Sequence, residues 1–305
     1  RPDVLGAVLS TAGLTSLVYG VIEAPARGWW HPVTIGPITA GLVVLAGFVA
    51  WELRARDPMI DLHLFARPQF LWASIAGVLV TFGMLGLLFV VPQYLQLVTG
   101  HNALGTGIRL LPLTGGLVVG APTGERLAAR TGYRMPVSAG LAVLATGVAV
   151  GATTDVASGY GFVAAWLAIA GLGIGMALAP AMDAVLDALP AEHAGAGTAI
   201  TMTLRQTGGA LGVALLGSLL AEGYANRVDT AGLPAEAAAA ARESIAGALA
   251  AATRLAEPSL AASAHAAYLH GMSLVLIATA TTAGLSALLT ALLLPGKPTA
   301  DGDHH

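Results

Sequence analysis

Two ionisable side chains stand inside otherwise apolar stretches of this chain: Asp183, in Pro180-Ala181-Met182-Asp183, and Arg205, which opens Arg205-Gln206-Thr207-Gly208. A charge near the middle of a bilayer costs about 2.5–3.5 kcal/mol on insertion scales, so such residues are functional candidates by default. Asp183 is expected near the end of one helix and Arg205 roughly 15 Å into the next, so antiparallel packing could bring the two together. A structural ion pair or helix-end hydration would account for them, and so would a proton- or substrate-linked role. In the second case the chemistry is simple: a carboxylate in a low-dielectric cavity holds its proton until an approaching cation displaces it.

A second polar group lies toward the opposite side. Gln93, Tyr94 and Gln96 close one apolar stretch, and Arg109 opens the next after Gly100-His101-Asn102. Gln93 and Gln96 are three apart and so share a helical face, where they could line a polar vestibule. Anchoring of Tyr94 and Arg109 at a membrane interface is the simpler alternative. Glu23, Arg27, Trp29 and Trp30 read as interfacial belt residues. The eight histidines form no ligand pattern: His265 and His270 fall in an expected loop and His304-His305 in a polar tail, so no metal site is expected. The absence of cysteine removes disulfides and thiolate catalysis. No Ser-His-Asp order, phosphate-binding glycine loop or catalytic carboxylate pair emerges, so neither an enzyme nor a cofactor is expected.

These residues are carried by roughly eight apolar stretches of about 20 residues, each long enough to cross a hydrocarbon core of about 30 Å. From Phe70 to Val91, 22 residues run without a charged side chain. Charged residues are 10% and hydrophobic residues 56% of the 305, against about 25% and 45–50% in a soluble domain. Mean hydropathy is +0.76. An all-α, polytopic membrane protein follows, and one large soluble core is excluded. Net charge is −3 with scattered basic residues, which argues against a nucleic-acid partner. All but one of the basic residues are Arg, and Ala and Gly abound, a bias that looks like a GC-rich bacterial genome.

Helices are predicted over 4–22, 34–53, 70–98, 105–128, 135–153, 159–187, 195–221 and 268–294, all spanning. Arg1, Arg54, Arg56, Arg67, Arg126, Arg130, Arg134 and Lys297 then fall on one side, against Arg27 and Arg109 on the other, which puts both termini in the cytoplasm. The chain divides into a helix pair (1–53), a cytoplasmic connector (54–69), a six-helix bundle (70–294) with a long outer loop (222–267), and a cytoplasmic tail (295–305). In that loop the stretch from Ala235 to Ala256 has strong helix formers and a Pro258 stop, predicting one or two surface helices; a flexible spacer is the alternative. Glycines four apart recur: Gly116, Gly120 and Gly124; Gly171 and Gly175; Gly208 and Gly212. Such spacing lets helix backbones approach closely, either for static packing or as a sliding surface. The chain opens at Arg1 without a signal-peptide pattern and is expected to be a piece of a longer protein.

Several stretches carry a resemblance. Pro58-Met59-Ile60-Asp61-Leu62-His63-Leu64-Phe65, Tyr94-Leu95-Gln96-Leu97-Val98-Thr99-Gly100 with Leu110-Leu111-Pro112, and Arg205-Gln206-Thr207-Gly208-Gly209-Ala210-Leu211-Gly212 after Ala194-Gly195 occur in one order. In that order they resemble the drug:proton antiporters with fourteen spanning helices, within the major facilitator superfamily. That family's cytoplasmic connector usually reads Gly-x-Leu-Ala-Asp-Arg-x-Gly-x-Arg. Here Leu127, Ala128, Arg130, Gly132 and Arg134 match it, whereas Glu125 and Ala129 replace the Gly and the Asp. Loss of the Asp puts a gating latch at this copy in doubt.

The resemblance implies the C-terminal portion of a proton-coupled exporter of lipophilic or amphiphilic compounds in a bacterial cytoplasmic membrane. Its six-helix bundle would work by alternating access against an absent N-terminal six-helix half. Protons, membrane lipids and the small-molecule substrate would be its other partners. Asp183 is then the proton-coupling candidate, and Gln93, Tyr94, Gln96, Arg109, Arg205 and Gln206 are cavity or gating candidates. The alternatives are a membrane-embedded interaction or sensory module that has lost transport, and a metabolite transporter of the same superfamily.

Overall fold

The structure, a computed structural model, describes residues 3–54, 65–189 and 194–295. Those residues are helical throughout, with no strand, and eight of the helices are long and apolar enough to cross a membrane. In chain order they are α1 (Val4–Arg27), α2 (Pro32–Glu52), α3 (Pro68–Gln93), α4 (Ala103–Arg109), α5 (Leu111–Thr131), α6 (Arg134–Gly151), α7 (Tyr160–Asp187), α8 (Ala194–Ala225), α9 (Ala235–Glu243), α10 (Ile245–Leu255) and α11 (Pro258–Leu293). Proline at the first turn starts α2, α3 and α11, where its missing N–H removes nothing from the ladder. The Asp3 carboxylate accepts from Gly6 N at 2.9 Å and caps α1; Asn102 caps α4 in the same way.

α7 lies at the centre of the bundle, flanked by α5, α6 and α3; α8 packs on α3, and α11 closes the far side against α6, α8 and α3. α1 and α2 form a hairpin of their own that touches α8 through α1. Trp166, Phe70, Leu141, Leu144, Leu276 and Tyr268 are fully buried between the helices, and the Tyr268 hydroxyl donates to Val90 O at 2.9 Å. Outward-facing positions are apolar too: Val43 is 71% and Leu292 63% exposed. Such a surface suits lipid, in which helices associate through close packing rather than through escape from water.

The glycine spacing is explained by that packing. A Cβ on Gly116, Gly120 or Gly124 would sit 2.2–2.5 Å from backbone oxygens of Ala168, Leu172 and Met176 on α7. A Cβ on Gly171 or Gly175 would in turn meet Leu113 O at 1.9 Å and Leu117 O at 2.4 Å on α5. Gly208 and Gly212 abut Val78 and Phe82 of α3.

Several expectations need correction. The helix predicted over 105–128 breaks at Leu110 into α4 and α5, with Pro112 starting the second piece. After Pro92, which has no amide proton for the α-helical ladder, α3 widens into a π-helical turn at Tyr94–Val98, where Thr99 N reaches Tyr94 O. Pro258 starts α11 rather than only stopping the loop, so α11 begins ten residues ahead of its predicted start and His265 and His270 are helical. The outer loop is correspondingly shorter, and its two helices are packed: Ala237, Ala241, Ile245 and Ala248 are buried, which removes the flexible spacer. Most of the expected connector 54–69, including Pro58 to Leu64, and nearly all of the tail 295–305 lie outside the described residues.

Candidate functional site

Arg205 is half-buried on α8, its stem laid over Gly77 of α3. Its Nε donates to Thr81 Oγ1 at 3.1 Å and a terminal nitrogen reaches Met182 Sδ at 3.1 Å, so one guanidinium joins α3, α7 and α8. Thr81 is itself fixed, since its hydroxyl donates to Gly77 O at 2.8 Å. The anticipated pair with Asp183 does not form: the one ion pair among the described residues is Glu23 with Arg27 at 2.5 Å. The reason is helical phase. Successive residues on a helix point about 100° apart, so the turn that aims Met182 at Arg205 swings Asp183 to an exposed flank. Gln206, beside Arg205, is also exposed. Its neighbours Thr203 and Thr207 spend their hydroxyls on Ala199 O and Thr203 O, both at 2.9 Å, leaving the Gln206 amide as the free polar group of this stretch.

At the other end of the bundle the expected vestibule is not assembled. Gln93 Nε2 turns back to Phe89 O at 2.9 Å, and the π-helical turn carries the exposed Gln96 away from the face of Gln93. Tyr94 is 2% exposed and packs in the core instead of anchoring at a surface. Arg109 bridges elements: its guanidinium lies 5.3 Å from the Tyr160 ring and donates to Gly105 O at 3.3 Å, tying α4 to the start of α7.

The connector motif sits opposite, at the end of α5. Gly132, with φ +79°, lets the chain turn sharply, and its N–H closes α5 on Ala128 O. Leu127 is half-buried, whereas Arg130, Arg134, Glu125 and Ala129 are exposed. The neighbouring Tyr133 donates to the Asp187 carboxylate at the end of α7. Burial first, then that hydrogen bond and the negative charges of Asp187 and Asp183, push the Tyr133 phenol up from its ordinary value. The unfolded chain therefore loses this proton first, and stability drops as pH rises beyond the ordinary phenol range. Thermal unfolding of wild type is expected to fall off in that alkaline window, and less steeply in Tyr133→Phe; equal slopes would refute the coupling.

Sequence reasoning missed Thr81, Met182, Tyr133, Asp187, Arg67 and Gln69. Arg67 donates to Ala188 O at 2.7 Å and Gln69 to Ala184 O at 3.1 Å, so the start of α3 satisfies the free carbonyls and negative dipole end of α7. Asp187 was detectable, lying one helical turn from Asp183. Thr81 and Met182 carry no local signal, because only packing brings them to Arg205.

A bundle of spanning helices sealed at glycine seams, with a few polar groups set between them, defines a multi-pass membrane protein. The sequence profile of the Major Facilitator Superfamily matches residues 4–213. The chain is 36% identical over 219 residues to the "Tetracenomycin C resistance and export protein" of Streptomyces glaucescens, covering 72% of this chain and 41% of that protein. It is 34% identical over 221 residues to the "Multidrug resistance protein Stp" of Mycobacterium tuberculosis (72% and 41%), and 34% over 230 to the "Probable actinorhodin transporter" of Streptomyces coelicolor (71% and 39%). The chain belongs to the Major Facilitator Superfamily, a superfamily of membrane transporters and not of enzymes. It spans about two fifths of the length of these curated relatives.

Proposed function

We propose that this chain forms the C-terminal portion of a proton-coupled multidrug exporter of the fourteen-helix type in a bacterial cytoplasmic membrane, with both of its termini in the cytoplasm. The observation that carries the reading is the match to the superfamily with relatives named for drug resistance and export. On this reading α1 and α2 are the central extra pair, and α3 to α11 form one half of a two-lobed carrier. An N-terminal six-helix half would supply the second wall of the cavity.

Lipophilic or amphiphilic substrates would bind between the halves, with Arg205 and Gln206 offering the polar contacts on this side. Gln93, Tyr94, Gln96 and Arg109 then set the geometry of the outer end. Leu127, Arg130, Gly132 and Arg134 shape the cytoplasmic end of α5. Asp183 carries the proton: its carboxylate is exposed near the end of α7 that this reading assigns to the cytoplasmic side.

The test is efflux of a panel of lipophilic cationic dyes from cells carrying the full-length protein, with and without a proton uncoupler. Efflux is expected to stop with the uncoupler. Asp183→Asn is expected to cut the proton-driven component at least about tenfold, equivalent to about 1.4 kcal/mol, with normal insertion. Unchanged efflux in that variant would remove Asp183 from the mechanism, and uncoupler-insensitive efflux would remove proton coupling.

A further inference from the structure

The end of α7 is held in place by a neighbour. Pro180 has no amide proton, so the helical ladder lacks the bond that would tie position 180 back to Met176 O, and residues 181–187 are joined less firmly to the body of α7. Two side chains at the start of α3 grip this segment by its backbone: Gln69 Nε2 donates to Ala184 O at 3.1 Å, and an Arg67 terminal nitrogen donates to Ala188 O at 2.7 Å. Such bonds fix the rotation of a helix as well as its height, because each carbonyl sits at the angular position of its own residue. The bond from Tyr133 to the Asp187 carboxylate joins two flexible side chains and can follow a rotation.

That rotation decides which group meets Arg205. As held, the guanidinium reaches Met182 Sδ at 3.1 Å, a weak acceptor, while Asp183 and Leu186 are exposed and Ala184 and Val185 are buried. A turn of one residue, about 100°, would move each side chain into the place of the one before it. Asp183 would then stand where Met182 does, Ala184 where Asp183 does, and Leu186 where Val185 does. Charge favours the turn, since a carboxylate on a guanidinium makes a charge-assisted pair in place of an N–H···S contact. Neither Arg205 nor Asp183 has an ion-pair partner among the described residues, so no other pairing competes with this one.

We infer that Gln69, assisted by Arg67, is a positioning residue: the start of α3 holds the end of α7 one residue short of an Asp183–Arg205 pair and so keeps the carboxylate exposed. The consequence for transport rests on the reading of Asp183 as the proton carrier, because a carboxylate bound to Arg205 is withdrawn from exchange with water. The rotation itself does not depend on that reading.

The chain contains no cysteine, so a single introduced cysteine reports the exposure of its own position. Leu186 is 40% and Ala184 0% exposed. With the chain in phosphatidylcholine nanodiscs, a water-soluble maleimide is expected to label L186C at least about tenfold faster than A184C. Adding Q69L and R67M, which remove both donors, should invert the pattern: A184C speeds up and L186C slows down. A further R205M, which removes the attraction, should bring both rates back toward their starting values. Q69K with Arg67 intact keeps a donor for Ala184 O and should label like the starting chain. A role in stability alone would raise A184C and leave L186C fast, since a frayed helix end exposes every position; that result would overturn the positioning role, and so would an unchanged pattern in Q69L/R67M. In the full-length protein Q69L/R67M should lose dye efflux as Asp183→Asn does. Inverted labelling with efflux intact would leave the positioning role standing and remove Asp183 from transport.

Discussion

Gly116→Ala is expected to destabilise the bundle by about 3 kcal/mol or more, while Gly115→Ala, one residue earlier, raises stability slightly. The contrast isolates packing from helix propensity. An added methyl at position 116 would lie 2.2 Å from Ala168 O and 2.7 Å from Leu172 N, and both are backbone atoms of α7 that cannot rotate away. At position 115 nothing lies within 4 Å, so alanine there only reduces the freedom of the unfolded chain. Gly171→Ala should behave like Gly116→Ala, because its methyl would meet Leu113 O at 1.9 Å across the same seam. Thermal unfolding in detergent, followed by circular dichroism, checks the series. Equal midpoints for the 115 and 116 variants would mean that α5 and α7 are not in backbone contact.

Arg205→Met is expected to leave thermal stability unchanged or raised and to reduce efflux by the full-length protein at least about tenfold. Arg205 is a half-buried cation with no carboxylate beside it among the described residues. Removing it relieves desolvation and orphans little: Thr81 keeps its bond to Gly77 O, and the Met182 sulfur is only a weak acceptor. A purely structural arginine would give the opposite result, with a lower unfolding midpoint. Arg205→Lys sharpens the distinction, because lysine keeps the charge but lacks the planar fork that reaches α3 and α7 together. Partial efflux with wild-type stability is expected for it. If Arg205→Met unfolds early and its efflux loss merely tracks the loss of folded protein, the functional role falls.

The class of the molecule was legible because solvent imposes it residue by residue. A segment that meets lipid must be apolar around its whole circumference and about 20 residues long, and these are local properties of a linear string. Glycine spacing was legible for the same reason: Gly116, Gly120 and Gly124 mark one face of one helix, whatever that face meets. The apolar stretches placed most helix starts within a few residues, at 4, 34, 70, 135, 159 and 195 against Val4, Pro32, Pro68, Arg134, Tyr160 and Ala194. Pro258 was read as a stop because the apolar pattern of α11 weakens toward its start, where Leu260, Ala264 and Ala267 are buried against the rest of the protein.

What the linear string determined by itself is thus the solvent, the number of crossings and the faces that pack closely, all set by side chains within one helical turn of each other. Tertiary structure alone decided partnership. It gave Arg205 to Thr81 and Met182 instead of Asp183, sent Tyr94 into the core, joined Tyr133 to Asp187, and tied Gln69 to Ala184. Each of these depends on the rotation of one helix against another, and a turn of about 100° per residue lets a shift of a single position replace a carboxylate with a thioether.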